Sequence, residues 1–118
     1  MGFVHHSVYP LYLEEARTEI LRNFGLVYSE IEKEGIIMPL RNMSFDFIRA
    51  ARYDDLLTVE VSLQEKPAVR YKFNYKIINQ HNQHICDAYT ELFFVRKSDM
   101  KPIRLPEKYQ AGIDELYK

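Results

Sequence analysis

The 118-residue sequence has a single cysteine and no strong excess of charge of either sign. The lone Cys86 excludes an internal disulfide and a zinc site built from cysteines, and it favours a reducing compartment. Sixteen Lys and Arg against seventeen Asp and Glu give a formal net charge of -1, so no basic field favours a nucleic acid partner. Any phosphate-bearing ligand must therefore be bound by a local group of basic residues.

Long apolar runs, repeats and low-complexity segments are also missing from the chain. No stretch approaches the ~20 apolar residues of a membrane span, and the N-terminus has no basic region followed by a long apolar run. We therefore expect a cytoplasmic protein without a membrane partner. Hydrophobic residues make up 47% and aromatic residues 14% of the sequence, which is enough for one core in a single domain over residues 1–118.

The first long element is predicted to be an amphipathic helix at residues 9–24. Apolar residues recur there in steps of three and four and fall on one face, namely Tyr9, Tyr12, Leu13, Ala16, Ile20 and Phe24. Pro10 suits the first turn, and Gly25 suits the position after the last turn. Glu14 and Glu15 fall on the opposite face, which predicts that the helix buries a single stripe.

After this helix the period of the apolar residues changes to two, which is typical of strands. A short helix that turns into a strand is predicted at residues 26–40. Alternation and apolar content then predict long strands at 43–48, 57–64, 71–77 and 85–95. The last of these is apolar enough on both sides to be central, and Pro106 can open a short C-terminal helix. Short turns make the strands antiparallel, so an α+β fold results in which the sheet curls around the long helix.

A glycine turn leads two histidines and a tyrosine into the start of this helix. Their order is Gly-Phe-Val-His-His-Ser-Val-Tyr at residues 2–9. A helix start has N–H groups without intrahelical partners and the positive end of the helix dipole, so it can hold a carbonyl oxygen or an anion. This helix start is therefore the first candidate for a functional site.

Three motifs together make the sequence resemble a known family. The run at residues 2–9 is followed by Leu-Glu-Glu-Ala-Arg-Thr-Glu at 13–19 and by Ala-Arg-Tyr-Asp-Asp-Leu-Leu at 51–57. This order resembles the hotdog-fold acyl-CoA thioesterases of the 4-hydroxybenzoyl-CoA thioesterase class, over essentially the whole chain. The resemblance implies a hotdog fold and hydrolysis of acyl-CoA to a free acid and CoA. It also implies a homodimer or tetramer with active sites at the subunit interface, and no cofactor, since CoA is part of the substrate.

The resemblance also places a catalytic aspartate three residues before the glycine, on a loop after a first strand. That position precedes Met1, so we expect the family's N-terminal strand and its aspartate to be missing from this chain. A start placed at an internal methionine, a cut chain and a short version with lost or altered activity all remain open, and we favour a misplaced or truncated start. A second hypothesis is therefore a hotdog module that binds acyl thioesters, or only assembles, without hydrolysing them.

Thioester hydrolysis needs a carboxylate that activates water or attacks directly, and a donor for the developing oxyanion. By the resemblance, the backbone N–H of His6 would be that donor, and its side chain could orient water or simply bond to the loop backbone. Tyr9 matches the family's tyrosine and could line the acyl pocket or anchor the helix start. Some hotdog thioesterases take their carboxylate from the helix, so Glu15 is a catalytic candidate beside Glu14, although a solvated face is the simpler interpretation. We expect Arg17 to pair with a neighbouring carboxylate.

Coenzyme A carries a 3′-phosphate and a diphosphate, so basic side chains are expected near the cleft. In the family the turn between the two middle strands supplies them, and here that turn offers Lys66 and Arg70. His81 and His84 have a spacing that could bind a metal, but without a third ligand they make a poor zinc site, so we expect none. A hydratase or dehydratase of the same fold is a weaker alternative, because the glycine turn lacks the pattern of those enzymes.

Overall fold

The computed structural model describes residues 8–65, 67 and 69–117. Three helices and two antiparallel sheets make up this part of the chain. The helices are α1 (Tyr9–Asn23), α2 (Tyr28–Lys33) and α3 (Glu107–Tyr117). The strands are β1 (Ile36–Ile37), β2 (Leu40–Phe47), β3 (Thr58–Leu63), β4 (Arg70–Ile78), β5 (His84–Phe93), β6 (Val95–Arg96) and β7 (Lys101–Pro102).

Helix α1 begins and ends where the sequence pattern predicts. Pro10 lies in its first turn, and the chain leaves the helix at Gly25, whose φ of 90° is in the left-handed region. The Gly25 N–H donates to the carbonyl oxygen of Arg22 at 3.0 Å, and the Leu26 N–H donates to that of Leu21 at 2.8 Å. These two bonds form a Schellman motif, which satisfies the last carbonyls of α1 and turns the chain towards α2.

The larger sheet has the strand order β2-β5-β4-β3, and each neighbouring pair is antiparallel. The prediction that the strand at 85–95 is central is confirmed, although the strand divides: β5 ends at Phe93, and Val95 pairs in a smaller sheet of order β1-β6-β7. No sequence pattern predicts the smaller sheet, because its strands are only two residues long. A long helix on one face of an antiparallel sheet is the α+β architecture that we expected.

The two central strands of the larger sheet, β4 and β5, are almost completely buried on their inner face, which faces α1. Alternate residues of β4 point to this face and are at most 2% exposed, namely Tyr71, Phe73, Tyr75 and Ile77. Their direct partners on β5 are also buried: Leu92, Thr90, Ala88 and Cys86. Leu13 and Leu21 of α1 belong to the same cluster. The core therefore lies between α1 and the two central strands.

Arg17 departs from the predicted apolar stripe, because it lies in the core and is only 9% exposed. Its Nη1 donates to the hydroxyl oxygen of Tyr75 at 3.1 Å, and that oxygen lies 2.7 Å from the Thr90 Oγ1. The expected ion pair of Arg17 is wrong, since no carboxylate in the described ranges pairs with it. The reason is helical geometry: residues four apart share a face, so the row that buries Tyr9 and Leu13 also buries Arg17.

Helix α3 begins directly after a proline, as predicted, and packs on α2 and on the end of α1. The Lys108 Nζ lies 2.7 Å from the Glu34 Oε1, and the Tyr109 hydroxyl donates to the Glu34 Oε2. The hydrogen bond from Lys108, followed by that from Tyr109, holds the pKa of Glu34 below its ordinary value. Gly112 permits the close approach, because a Cβ there would lie 2.0 Å from the carbonyl oxygen of Phe24.

Cys86 is fully buried on the inner face of β5. Burial is the main reason that the pKa of its thiol rises to about 11. The thiolate is the reactive form of cysteine, so a buried thiol with a raised pKa is chemically inert at neutral pH.

Candidate functional site

The start of α1 is where the sequence predicts the site. His6 and Lys66, the predicted oxyanion donor and one predicted CoA contact, lie outside the described residues. Val8 is the first described residue, and Tyr9 is the first residue of α1. No described side chain caps this end of the helix, and its first turn has no acidic residue. The helix dipole is positive at this end, which favours an acceptor such as a carbonyl oxygen.

Tyr9 lies at this helix start with only 2% of its surface exposed. Its ring packs edge-on against Tyr12 and Phe47, with centroid separations of 5.7 and 5.0 Å. Desolvation raises the pKa of its phenol, and a backbone hydrogen bond with Ala51 opposes this shift only in part. An enclosed, neutral phenol is well placed to anchor the helix start, whereas its predicted contact with an acyl group stays a prediction.

Four aromatic rings form a continuous array from the first turns of α1 to the end of β2. Phe47 contacts Tyr9 on one side and stacks on Phe45 on the other, with centroids 5.6 Å apart and ring planes 12° apart. Phe47 is 47% exposed, so the array presents an open aromatic surface beside the helix start. Sequence reasoning missed this surface, because the alternation of Phe45 and Phe47 identifies only a strand, and the partner ring lies on α1.

Glu15 lies on the exposed side of α1, at a cleft of about 480 Å³. The cleft is lined by Tyr12, Glu15, Ala16, Glu19, Tyr53, Asp55, Leu56, Leu57 and Val59. Glu15 follows Tyr9 by six positions, which places its Cα about 9 Å further along the helix axis. Its role as the catalytic carboxylate stays a prediction.

The loop that carries the third motif is fixed by Asp55. Its Oδ2 accepts a hydrogen bond from the Arg52 N–H at 2.8 Å, and its Oδ1 accepts one from the Gln80 Nε2 at 3.1 Å. The bond from the Arg52 backbone is the main cause that lowers the pKa of Asp55. This carboxylate therefore shapes the turn. The same loop presents Tyr53 and Leu56, which are 83% and 76% exposed, at the cleft.

Arg70, the other predicted CoA contact, begins β4 on the outer face of the sheet, opposite the inner face. Its Nε lies 2.9 Å from the Glu91 Oε1, and its side chain is half exposed. Its Cζ lies 5.8 Å from the ring centroid of Phe93, and the Cζ of Arg41 lies 5.6 Å from the same centroid. We call Arg41, Phe93 and Arg70 the two-arginine cluster. Sequence reasoning missed Arg41, because only the pairing of β2 and β4 with β5 brings it to Arg70.

Metal ligation and membrane crossing concern other features of the described part of the chain. No group of three His, Cys, Asp or Glu residues lies close enough there to hold a metal ion. The Nε2 of His84 lies 2.6 Å from the Asp87 Oδ1, so this histidine has a carboxylate partner. Among these residues there is also no helix of the length and apolar character needed to cross a membrane.

Comparison with known proteins connects this geometry to a family. Residues 1–113 match the family model of the thioesterase-like superfamily. Over 110 residues the chain is 28% identical to the acyl-CoA thioester hydrolase YbgC from Escherichia coli. The aligned residues cover 93% of this chain and 82% of that protein. The motifs at the start of α1 and at 51–57 fall within the matched residues.

Solved structures agree with the family match. The structure is similar to a DHNA-CoA thioesterase from Staphylococcus aureus, with a TM-score of 0.87 and 27% identity over 99% of this chain and 78% of that chain. It is also similar to a 1,4-dihydroxy-2-naphthoyl-CoA thioesterase from Synechocystis, with a TM-score of 0.88 and 25% identity over 99% of this chain and 87% of that chain. The chain therefore belongs to the thioesterase-like superfamily and has the hotdog fold.

Proposed function

We propose that this protein hydrolyses acyl-CoA thioesters to a free acid and CoA. The observation that carries the proposal is the start of α1, which no described side chain caps and which adjoins the open ring of Phe47. A carbonyl oxygen can accept hydrogen bonds from the N–H groups there, while a flat acyl group packs on Phe47. The naming of the Staphylococcus aureus relative as a DHNA-CoA thioesterase supports an acyl group with an aromatic part.

In the proposed reaction a carboxylate takes a proton from water as the water oxygen attacks the thioester carbon. The carbonyl oxygen becomes an oxyanion, which the His6 N–H and the helix dipole stabilise. The C–S bond then breaks, and the CoA sulfur leaves as a thiolate that takes up a proton. Glu15 is the candidate carboxylate, and His6 orients the water or the acyl group. Tyr9 holds the helix start in place, and Lys66 and Arg70 bind the CoA phosphates.

A second copy of the chain is part of this proposal. Strand β2 is an edge of the larger sheet in the described residues, and apolar side chains at and just after it are exposed: Leu40 at 48%, Phe47 at 47% and Ile48 at 51%. A homodimer, alone or within a tetramer, would cover them. Glu15 is on the exposed side of α1, so a site between two copies is an arrangement in which it could act. Sedimentation at micromolar concentration tests this, and a monomer would contradict it.

The distance between Glu15 and the helix start also favours an alternative. A hotdog module that binds acyl thioesters without hydrolysing them needs the carbonyl-binding helix start but no carboxylate beside it. The positive end of the α1 dipole supports the first feature, and the Cα of Glu15 lies about 9 Å along the axis from that of Tyr9.

One experiment separates the two functions. The purified chain is given aliphatic and aromatic acyl-CoAs, and thiol release is followed with a disulfide reagent. We expect release, fastest with aromatic acyl groups. Glu15→Gln should lower kcat by at least about a hundredfold, the usual contribution of a general base. The control Glu32→Gln changes an exposed glutamate of α2 and should have wild-type activity. Binding of acyl-CoA by calorimetry without any thiol release would favour the module instead.

A further inference from the structure

We infer that Arg17 determines acyl specificity: its buried guanidinium binds a second carboxylate, which the acyl group carries at the end remote from the thioester. This inference rests on the proposed function, because it names the class of acyl group that the same site accepts. The substrates are CoA esters of short dicarboxylic acids, in which one carboxyl group forms the thioester and the other stays free.

The charge of Arg17 is not balanced within the described residues. Arg17 is only 9% exposed, its Nε is buried without a hydrogen-bond partner, and none of the ion pairs formed in those ranges includes it. A buried cation that lacks a carboxylate costs free energy. A ligand that brings a carboxylate would recover this cost, because a guanidinium binds a carboxylate through two parallel N–H donors.

Two hydroxyl groups hold this guanidinium in one position. The Arg17 Nη1 donates to the Tyr75 hydroxyl oxygen at 3.1 Å, and that oxygen lies 2.7 Å from the Thr90 Oγ1. Both partners are at most 2% exposed, so the arrangement is fixed by the core. Neutral hydroxyls orient the cation without neutralising it. Its remaining donors therefore keep their attraction for an anion, in a position that is set before the ligand binds.

A row of side chains on the inner face leads from the open aromatic surface to Arg17. Phe47 stacks on Phe45, Phe45 lies opposite Ala88, and Ala88 lies opposite Tyr75. Ala88 is 7% exposed, although its neighbours on this face of β5 are at most 1% exposed. The row therefore reaches solvent at its smallest side chain. An acyl group that packs on Phe47 can extend along this row towards the guanidinium.

Distances along α1 set the length of the acyl group. Arg17 follows Tyr9 by eight positions on the same buried row, so their Cα atoms lie about 12 Å apart along the axis. Helical side chains lean towards the N-terminus, which brings the guanidinium closer to the helix start than its Cα is. Two carboxyl carbons at opposite ends of a benzene ring are roughly 6 Å apart, and a hydrogen bond of ~3 Å at each end completes the span. A para-dicarboxylic aromatic acid therefore has a suitable length.

The first test compares 4-carboxybenzoyl-CoA with benzoyl-CoA and with the methyl ester of 4-carboxybenzoyl-CoA, which lacks the charge. In the wild type, KM for 4-carboxybenzoyl-CoA should be about tenfold to a hundredfold below KM for benzoyl-CoA at similar kcat, the usual effect of one charge-assisted hydrogen bond. Arg17→Met should bring the two KM values together. The control Arg22→Met removes an exposed arginine of the same helix and should keep the wild-type preference.

The second test measures binding of the free acid without turnover. Terephthalate should raise the melting temperature of the wild type and of Arg22→Met, but not that of Arg17→Met. Benzoate at the same concentration should have a much smaller effect, because it has no second carboxylate. Arg17→Lys should lie between the wild type and Arg17→Met, because it keeps the charge but loses Nε and the planar fork.

The outcomes separate this inference from the proposed function. Hydrolysis of benzoyl-CoA without a preference for 4-carboxybenzoyl-CoA, or with a preference that survives Arg17→Met, would overturn the inference and leave the function standing. Arg17-dependent binding of terephthalate without thiol release from any acyl-CoA would do the reverse. An equal gain from the methyl ester or from 4-hydroxybenzoyl-CoA would show that Arg17 does not recognise a charge, which also overturns the inference. If Arg17→Met fails to fold, Arg17→Gln replaces it and should lose the same preference.

Discussion

The two faces of the larger sheet are formed by alternate residues of the same strands, yet different forces hold them. The inner face buries rings and aliphatic side chains under α1, with one polar chain from Arg17 through Tyr75 to Thr90. The outer face carries exposed ion pairs, such as the pair of Lys72 and Glu65 at 3.5 Å. Burial of apolar surface stabilises a fold far more than exposed ion pairs do. The buried inner face should therefore contribute more to stability than the outer face does.

The largest difference between the faces should come from Phe73→Ala. Phe73 is fully buried on β4, and removal of its ring leaves a cavity, so we expect a loss of about 3–5 kcal/mol in the free energy of unfolding. The adjacent Asn74 is exposed on the outer face, and Asn74→Ala should change stability by less than about 0.5 kcal/mol. Urea unfolding of both variants measures this. Equal losses would show that the faces contribute alike.

A smaller effect should come from the polar chain within the inner face. Tyr75→Phe removes the oxygen that accepts from Arg17 and leaves this buried cation without it, at a cost of about 1–3 kcal/mol. Arg17→Met removes the charge together with its demand for a partner, so it should be neutral or stabilising. In the Arg17→Met background, Tyr75→Phe should cost less than it does alone. If Arg17→Met lowered the free energy of unfolding as much as Tyr75→Phe does, the result would contradict this account.

The smallest effect should come from Glu34, whose carboxylate lies outside both faces. The pKa of Glu34 is lowered in the folded protein. Its contribution to the free energy of unfolding is therefore complete above the ordinary pKa of 4.5, and it is lost as pH falls through the lowered pKa. The pKa of Lys108 is raised, chiefly by the hydrogen bond to Glu34, so its contribution is complete below 10.5 and is lost as pH rises through the raised value. The melting temperature of the wild type should exceed that of Glu34→Gln between these limits, and the two should converge in acid. A difference in melting temperature that persists in acid would show that Glu34 stabilises the fold through packing and not through its charge.

Long patterns made most of the fold predictable from the sequence. The period of α1, the glycine after it and the alternation in β3 and β4 all predicted elements that the structure contains. The burial of Arg17 was not predictable from residue type, because an arginine normally lies on the surface and only its position in the row of Leu13 brings it inside. The smaller sheet was not predicted, because a strand of two residues is too short to show an alternating pattern.

The candidate site was less predictable, because its parts meet only through tertiary structure. The motif at residues 2–9 identified the helix start, but no pattern connects Phe47 with Tyr9, whose rings are 5.0 Å apart. The same holds for Arg41, which reaches Phe93 only through a slip in strand register. Glu15 stays a prediction, since it lies on the exposed side of α1, six positions after Tyr9.

The inert thiol of Cys86 makes the protein ready for spectroscopic labelling. It is the only cysteine, it is buried, and its pKa is about 11. A cysteine introduced at an exposed position such as Tyr53 would therefore react alone with a maleimide probe, and no natural residue would have to be removed first. A spin label placed there would report the distance between the clefts of two associated copies in solution.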